Sequence, residues 1–481
     1  MIWAAPDRTS SVPLYRQIYA SIQHGIQQGA IRTGERLPSS RELAASLHVS
    51  RNIVIHAYEL LHAEGYIEGK HGSGTFVTDG VYLESSAPFG NRQGDSFGGQ
   101  TEQDRSHSSS PNTQDIVHFR PGTPALDQFP RGRWGQLLRS VCLEAPESAL
   151  GYDQPEGRSE LRTALMHDLH ATRGVRCTPN QIIITSGATQ ALSLIAKLLL
   201  VPGTEAIVED PVTEEIHRMF DMPGTTMHAV PVDDQGIRTD MLPRSYSPAF
   251  VYTTPSHQFP LGGVLPIQRR IQLIQYARAT GCYLIEDDYD SEYRYDSPPV
   301  SSMQGLAPEH VIYVGTFSKV LTPALRIGYL ILPPHLIKQY RDLKWMNDLH
   351  TPSIEQLALA RFMEEGHLER HIAKLRKIYR KRRNVLMHLL ADTFRDHSIR
   401  LLGCSTGLHL VAELPGIRFT PQLLSHLERN GVKADVVERH AISKGKQLHR
   451  IILGYGNLSE REIRSGVERL FRAIHSYSAH N

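Results

Sequence analysis

Apolar residues recur at every fourth position through Leu14, Ile18, Ile22 and Ile26, a spacing that lines one helix face and predicts a first helix ending near Gly29. In Leu37-Pro38-Ser39-Ser40-Arg41-Glu42-Leu43-Ala44, Ser39 and Glu42 stand at capping-box spacing for a short second helix that stops around His48-Val49. Ser50 is placed to cap a third helix, Arg51 to Glu64, whose Val54, Ala57, Tyr58 and Leu61 turn inward and leave Arg51, Asn52, Ile55 and His56 outward. Tyr66-Ile67-Glu68 and Thr75-Phe76-Val77 are β-prone, and the Gly-rich stretch between them predicts a hairpin. Periodicity is lost over 81–114, a stretch rich in Gly, Ser, Gln, Asp and Asn. It buries too little to offset its ordering entropy and reads as a flexible linker spanning on the order of 30 Å, which leaves the two ends of the chain loosely coupled.

From 115 onward the pattern changes to near-continuous apolar runs separated by helical stretches: Ile182 to Thr185, Ala206 to Val208, His228 to Pro231, Phe250 to Tyr252, Tyr283 to Ile285, Val311 to Val314 and Tyr329 to Ile331. Such runs predict an α/β unit over 115–481, with a mostly parallel sheet covered by helices on both faces. Long helical segments between about 334 and 396, followed by strands at Gly407 to Ala412 and Ile451 to Leu453, predict a small C-terminal α+β subdomain over about 390–481.

Composition narrows the function classes. The formal net charge of +2 in 481 residues requires any nucleic-acid contact to come from a local basic face. The four cysteines, Cys142, Cys177, Cys282 and Cys404, are scattered, which argues against a disulfide framework or zinc ribbon and for a reducing, cytoplasmic setting. The longest apolar run, Ala191 to Val201, contains Lys197 and is too short to span a bilayer, so no membrane partner is expected. His367 and His371 are four apart on a predicted helix, but no third ligand accompanies them and no metal is expected.

Three helices and a wing form a winged helix-turn-helix whose third helix enters the major groove of double-stranded DNA. Arg51 and Asn52 are candidates for base edges, and Arg41, Lys70 and His71 for phosphates. Residues 14 to 78 resemble the GntR family of bacterial transcription regulators, matching L-P-S-x-R-x-L-A, the V-S-R recognition-helix start, G-Y-I and G-x-G-T-F-V. The resemblance adds Ser50 and Ser73 to the DNA-binding candidates. Ile53 stands where the family usually has threonine, so a hydroxyl contact is lost there.

The second unit carries a different chemistry. Lys319 ends Gly315-Thr316-Phe317-Ser318-Lys319, directly after an apolar strand, and Arg326 follows seven residues later. A desolvated lysine amine suits a Schiff base with an aldehyde cofactor, and arginine with hydroxyls suits its phosphate, which is the pair that pyridoxal phosphate needs. Ser186-Gly187-Ala188-Thr189 opens a helix whose first amides suit a phosphate. Asp287, after the strand Tyr283 to Ile285, suits the pyridine nitrogen. Tyr152 in a Pro- and Gly-rich turn has a hydroxyl for the phosphate, and Thr254 to Gly262 emerges at the same sheet edge.

In this order the motifs resemble class I aminotransferases of fold type I, from about 116 to the C-terminus. The resemblance implies that Lys319 carries the aldimine and Asp287 binds the ring nitrogen. It further implies that Tyr289 joins the cofactor set, that Thr316, Arg326, Ala188 and Thr189 hold the phosphate, and that Tyr152 is supplied by the partner of a homodimer.

With T-P-S-H-Q-F-P and E-D-D-Y-D-S-E-Y-R-Y, the whole chain resembles the MocR subfamily of GntR-type regulators, a winged helix-turn-helix fused to a fold type I domain. This implies a homodimer that reads paired operator half-sites, contacts RNA polymerase, and senses an amino compound or a B6 vitamer. Three departures narrow the transfer: Val212-Thr213 replaces an aromatic over the cofactor face, Phe259 replaces the asparagine that bonds the ring hydroxyl, and Leu261 replaces Thr or Ser. Ile452 fills the place of the substrate-carboxylate arginine, leaving Arg450, two residues earlier on the same strand face, as the effector-carboxylate candidate. The departures favour a sensor over an active aminotransferase that carries a DNA-binding module.

Overall fold

The computed structural model describes residues 6–10, 12–70, 74–81, 116–243, 247–296 and 300–478. His71, Ser73 and the linker expected over 81–114, apart from Val81, therefore lie outside the described residues.

The N-terminal unit is α1 (Leu14–Gln27), α2 (Ser40–Leu47), α3 (Arg51–Ala63) and the hairpin β1 (Ile67–Lys70) with β2 (Gly74–Val77). The periodic residues Ile18, Ile22, Ile26, Leu43, Val54, Ala57 and Leu61 form its core. The capping box is present, with Glu42 N–H donating to Ser39 Oγ at 3.3 Å and Ser39 N–H to Glu42 Oε2 at 2.8 Å. Ser50 occupies the N-cap of α3 without a side-chain capping bond, so its expected capping role is corrected.

The second unit contains β3 (Val117–Phe119), α4 (Arg131–Glu144), α5 (Ser159–Arg173), β4 (Ile182–Thr185), α6 (Ala188–Leu199), β5 (Glu205–Asp210), α7 (Glu214–Phe220), β6 (Thr226–Asp233), β7 (Gly236–Ile237) and β8 (Phe250–Thr253). It continues through α8 (Ile267–Thr280), β9 (Tyr283–Asp288), β10 (Val311–Thr316), β11 (Gly328–Ile331), α9 (Ile337–Asp348), α10 (Ser353–Glu364) and α11 (His367–Thr393). The last elements are β12 (Arg400–Leu402), β13 (His409–Glu413), α12 (Pro421–Arg429), β14 (Val432–Val436), α13 (Val437–His440), β15 (Arg450–Gly454) and α14 (Glu460–Ser478).

Eight strands form the main sheet in the order β4-β11-β10-β9-β8-β5-β6-β7. Neighbours from β10 through β6 are parallel, while β11 runs antiparallel to both β4 and β10. Strands β4, β8, β10 and β11 are buried at every position, as the continuous apolar runs require for a sheet covered on both sides. The smaller sheet has the order β12-β13-β15-β14-β3. Its last member is the first strand of the unit, pairing parallel to β14 with Val117 opposite Val432. The C-terminal subdomain thus recruits a strand from roughly 300 residues upstream, a long-range pairing that local periodicity does not encode.

The two units are docked, which corrects the expectation of loose coupling. Ile267 and Ile271 of α8, 2% and 1% exposed, complete the apolar core of the N-terminal unit. Fully burying such a side chain contributes about 1.5–3 kcal/mol. Glu64, also buried, fixes the geometry by accepting from Tyr19 Oη at 2.6 Å and Ser301 N–H at 2.8 Å, while Ile267 N–H donates to the Glu64 carbonyl at 3.3 Å. The docking face lies away from the outward end of α3, where Arg51 and Asn52 stay exposed.

Candidate functional site

The main sheet gathers the predicted residues by register. Thr316 on β10 lies opposite Gly328 on β11, which lies opposite Thr185 on β4. The loop after β4 therefore starts α6 beside the turn that carries Lys319 and Arg326. A Cβ at Gly328 would stand 2.8 Å from the Ala188 nitrogen, so a side chain there would push the helix N-terminus away.

At this N-terminus Gly187 has φ +82°, and a Cβ on it would fall 2.9 Å from Arg326 Nη2 and 3.1 Å from Arg326 Cζ. The guanidinium thus lies against the helix start, held by a 2.9 Å bond from Nη2 to the Ser186 carbonyl. Arg326 itself has φ +51°, a left-handed conformation unusual for arginine. Buried Thr316 Oγ1 accepts from Ser318 N–H at 3.2 Å and lies 3.1 Å from Ser318 Oγ. Ala188 and Thr189 form the first turn of α6. Free helix amides, an arginine and two hydroxyls form a cradle for a phosphate dianion.

Lys319 is half-buried, and burial pulls its pKa below the ordinary lysine value, opposed first by the charge of Asp290. A Cβ on Gly122 would sit 2.9 Å from Lys319 Nζ, so the turn after β3 closes directly over the amine. On β9, Asp287 Oδ2 accepts from Tyr252 Oη at 2.6 Å, while Oδ1 is buried with no partner among the described residues. Burial pushes the Asp287 pKa up to about 6. Asp288 faces a different environment, accepting from Arg173 Nε at 2.9 Å and from Tyr313 Oη. Arg173 also donates to Ser256 Oγ at 2.6 Å and to the Val300 carbonyl.

The orphaned Asp287 oxygen and the Gly187–Arg326 cradle fit pyridoxal phosphate at two of its ends: an acceptor for a ring N–H and cationic, hydroxyl and amide donors for the phosphate. Lys319 supplies the amine for the aldehyde. Tyr289 donates to the His257 carbonyl at 2.8 Å and stacks on the His257 ring at 5.7 Å. Sequence reasoning missed Tyr252, Gly122 and the buried His257–Asp290 pair. Tyr252 at the end of an apolar strand beside Thr254-Pro255 was the available signal, whereas nothing near Gly122 points to a lysine 197 positions later.

Arg450 is placed elsewhere. Its Nη2 lies 3.0 Å from Glu413 Oε2 and its Nη1 donates to Gln447 Oε1 at 2.7 Å. In the β13–β15 register Arg450 faces Glu413, whereas Gly454 at the other end faces His409. That end is the one near Lys319, since the His409 ring lies 4.7 Å from the His257 ring and the Lys319 charge acts on His409. Four residues of strand, about 13 Å, separate the two ends. The guanidinium of Arg450 is thus paired with Glu413 at the end of β15 away from His409. Tyr152 is 82% exposed and meets His350 edge-on at 6.4 Å.

Of the described DNA-binding candidates, Arg41, Ser50, Arg51, Asn52 and Lys70 are exposed. Arg51 Nε donates to Ser40 Oγ at 3.2 Å, and Lys70 pairs with Glu68 at 3.1 Å. His367 Nε2 accepts from Arg133 Nε at 2.6 Å, and no cluster of three or more metal-ligating side chains occurs among the described residues. No helix among those residues is long and apolar enough to cross a membrane.

Fold and site together define a pyridoxal-phosphate-dependent transferase domain of fold type I joined to a winged helix-turn-helix. Residues 124–428 match the family of class I and II aminotransferases, and residues 14–77 match the bacterial regulatory proteins of the gntR family. The chain belongs to the MocR subfamily of GntR-type transcription regulators. It is 33% identical to the probable rhizopine catabolism regulatory protein MocR of Rhizobium meliloti, over 98% of this chain and 97% of that protein. It is 31% identical to the pyridoxine biosynthesis transcriptional regulator PdxR of Corynebacterium glutamicum, over 95% of each. Among solved structures it resembles kynurenine aminotransferase of Pyrococcus horikoshii, with TM-score 0.70 and 28% identity over 76% of this chain and 92% of that one. The chain is thus a DNA-binding regulator whose larger part is an aminotransferase-like domain with pyridoxal phosphate as its cofactor.

Proposed function

We propose that the chain is a transcription regulator that senses an amino compound or a B6 vitamer through Lys319. In this reading residues 1–80 read DNA and residues 115–481 hold the cofactor and the effector. The observation that carries it is the pairing of a lysine whose ammonium form burial disfavours with a buried carboxylate, Asp287, that has an acceptor to spare. When bound, the cofactor supplies an aldehyde that condenses with primary amines and a ring that withdraws electrons.

The chain's own groups prepare the rest. Tyr252 holds one oxygen of Asp287 and leaves the other, which would accept from a ring N–H. Lys319, just after β10 and under Gly122, presents the amine that would meet a carbonyl carbon, and Arg326 with Thr316, Ser318 and the α6 amides would hold the phosphate. With the cofactor bound, an effector amine would be a second candidate for the aldehyde chemistry beside Lys319 Nζ, so that its arrival would change the charge carried by the lysine. The route from this site to the docked N-terminal unit would run from Asp288, beside Asp287 on β9, through Arg173 and the 300–301 segment to Glu64.

Two observations favour sensing over turnover: Phe259 occupies the place of a polar ring-hydroxyl partner, and Arg450 is neutralised by Glu413. We further propose a cytoplasmic homodimer that reads paired half-sites and meets RNA polymerase there. The exposed apolar side chains Leu143, Leu150, Tyr152 and Met346 support it, with Tyr152 completing the partner's phosphate site.

The test combines absorbance of the cofactor-loaded protein, borohydride trapping with mass mapping, and operator binding titrated with amino acids and vitamers. A visible band trapped on Lys319, and an operator affinity that responds to an amine in wild type but not in Lys319→Ala, are expected. A response unchanged in Lys319→Ala overturns the reading, and steady-state keto-acid formation with common amino donors would favour an active aminotransferase instead.

A further inference from the structure

Three buried histidines from distant parts of the chain meet around Phe259. His257 follows β8, His409 opens β13 and His440 closes α13, and the Phe259 ring lies 5.2 Å from His409 and 5.1 Å from His440. The His257 and His409 rings are 4.7 Å apart, and each residue is 1% exposed. Their hydrogen bonds fix their tautomers. His257 Nδ1 lies 3.0 Å from both oxygens of Asp290, which accept only, so Nδ1 carries the proton. His409 Nε2 lies 3.0 Å from the Pro260 carbonyl, also an acceptor, so Nε2 carries the proton there. In the neutral rings the remaining nitrogens, His257 Nε2 and His409 Nδ1, are lone-pair acceptors. Both are buried without a partner among the described residues.

The pair belongs to the neighbourhood of Lys319: Asp290 is the charge that most opposes the lowering of the lysine pKa, and the lysine charge in turn acts on His409. Burial holds His409 well below the ordinary histidine value, which keeps its lone pair available.

We propose that His257 Nε2 and His409 Nδ1 form the effector's second recognition point, accepting hydrogen bonds from a hydroxyl or a second amine on an amino compound. Two buried acceptors beside a carboxylate repel a carboxylate and leave an alkyl group with unpaired polar neighbours. The favoured effector class is therefore an amino alcohol, a polyhydroxylated amine or a diamine rather than an acidic amino acid. This rests on the sensor reading above and deepens it.

The test titrates the cofactor band of the full-length, cofactor-loaded protein with amino alcohols of increasing chain length, alkylamines of matching length, and ω-amino acids. The best amino alcohol should perturb the band at a concentration about tenfold or more below its alkylamine isostere, which is the discrimination expected of a site built for a polar group. His409→Phe should abolish that preference. His409→Asn, whose amide oxygen replaces the lone pair, should restore part of it. Equal response to the two series, preference for the ω-amino acid, or a preference that survives in His409→Phe overturns the inference and leaves the sensor reading intact. No response to any amine by a protein that borohydride traps on Lys319 overturns both. If His409→Phe does not fold, the wild-type comparison of the series decides alone.

Discussion

Replacing Glu64 by alanine tests whether the N-terminal unit is held on the cofactor unit by a defined polar contact. Glu64 accepts from Tyr19 Oη at 2.6 Å and from Ser301 N–H at 2.8 Å, and all three groups are shielded where the units meet. Glu64→Ala strands the Ser301 amide, while Tyr19 Oη keeps Ser301 Oγ at 3.0 Å as a partner. A buried donor without a partner costs about 1–3 kcal/mol, so the docked state loses roughly that much relative to an undocked state in which water satisfies the amide. Native-state hydrogen exchange reads this directly, because the amides of Ser301 and Ile267 both donate to Glu64 across the junction. With every 1.4 kcal/mol worth tenfold, their exchange should accelerate by about fivefold or more. Tyr19→Phe, which leaves the Ser301 amide paired, should have a smaller effect. Amides inside α3 should keep their protection, which separates undocking from unfolding. Because Arg270 donates to the Ser301 carbonyl and Arg173 joins the Val300 carbonyl to Asp288, the same variant should uncouple operator affinity from the amine response. Unchanged exchange at Ser301, or an intact amine response in a protein shown to be undocked, refutes the reasoning.

Three other outcomes are expected. Burial raises the pKa of Asp287 to about 6 and of Glu286 to about 7, from 3.8 and 4.5 respectively. The folded, cofactor-free protein therefore binds more protons than the unfolded chain across this window, and the contribution of these groups to stability falls as pH rises from about 4 to 7. Buried His371, lowered to about 4, contributes with the opposite sign, so the test is a difference: in urea unfolding Asp287→Asn should gain stability relative to wild type as pH rises across that range. Gly187→Ala places a Cβ 2.9 Å from Arg326 Nη2 at φ +82°. It should cost about 1–2 kcal/mol in thermal unfolding and weaken cofactor binding about tenfold or more in absorbance titration. At the operator, Arg51→Ala should cost about 1–3 kcal/mol and relax base preference, while Lys70→Ala should weaken binding to all sequences and reduce the salt slope by about 1.

Some of this molecule is written locally. The four-residue spacing of Leu14 to Ile26, the Ser39–Glu42 box and the apolar runs from Ile182 to Ile331 announce their helices and strands, because helix caps and strand burial depend on neighbours a few residues away. Lys319 and Asp287 were legible for a related reason, since each stands at or just beyond the end of an apolar strand, where open α/β sheets expose chemistry, and Arg326 was legible by its spacing from Lys319.

Tertiary structure alone decided the rest. The pairing of β3 with β14, the docking of Glu64 on Ser301, the neutralisation of Arg450 by Glu413, the approach of Gly122 to Lys319 and the meeting of His257 with His409 each join residues at least 37 positions apart. Periodicity reports which face of an element is apolar but is silent on which element covers it. Whether an arginine is free or paired, and which nitrogen of a histidine keeps its lone pair, depends on partners that only strand register and domain packing bring within hydrogen-bond reach.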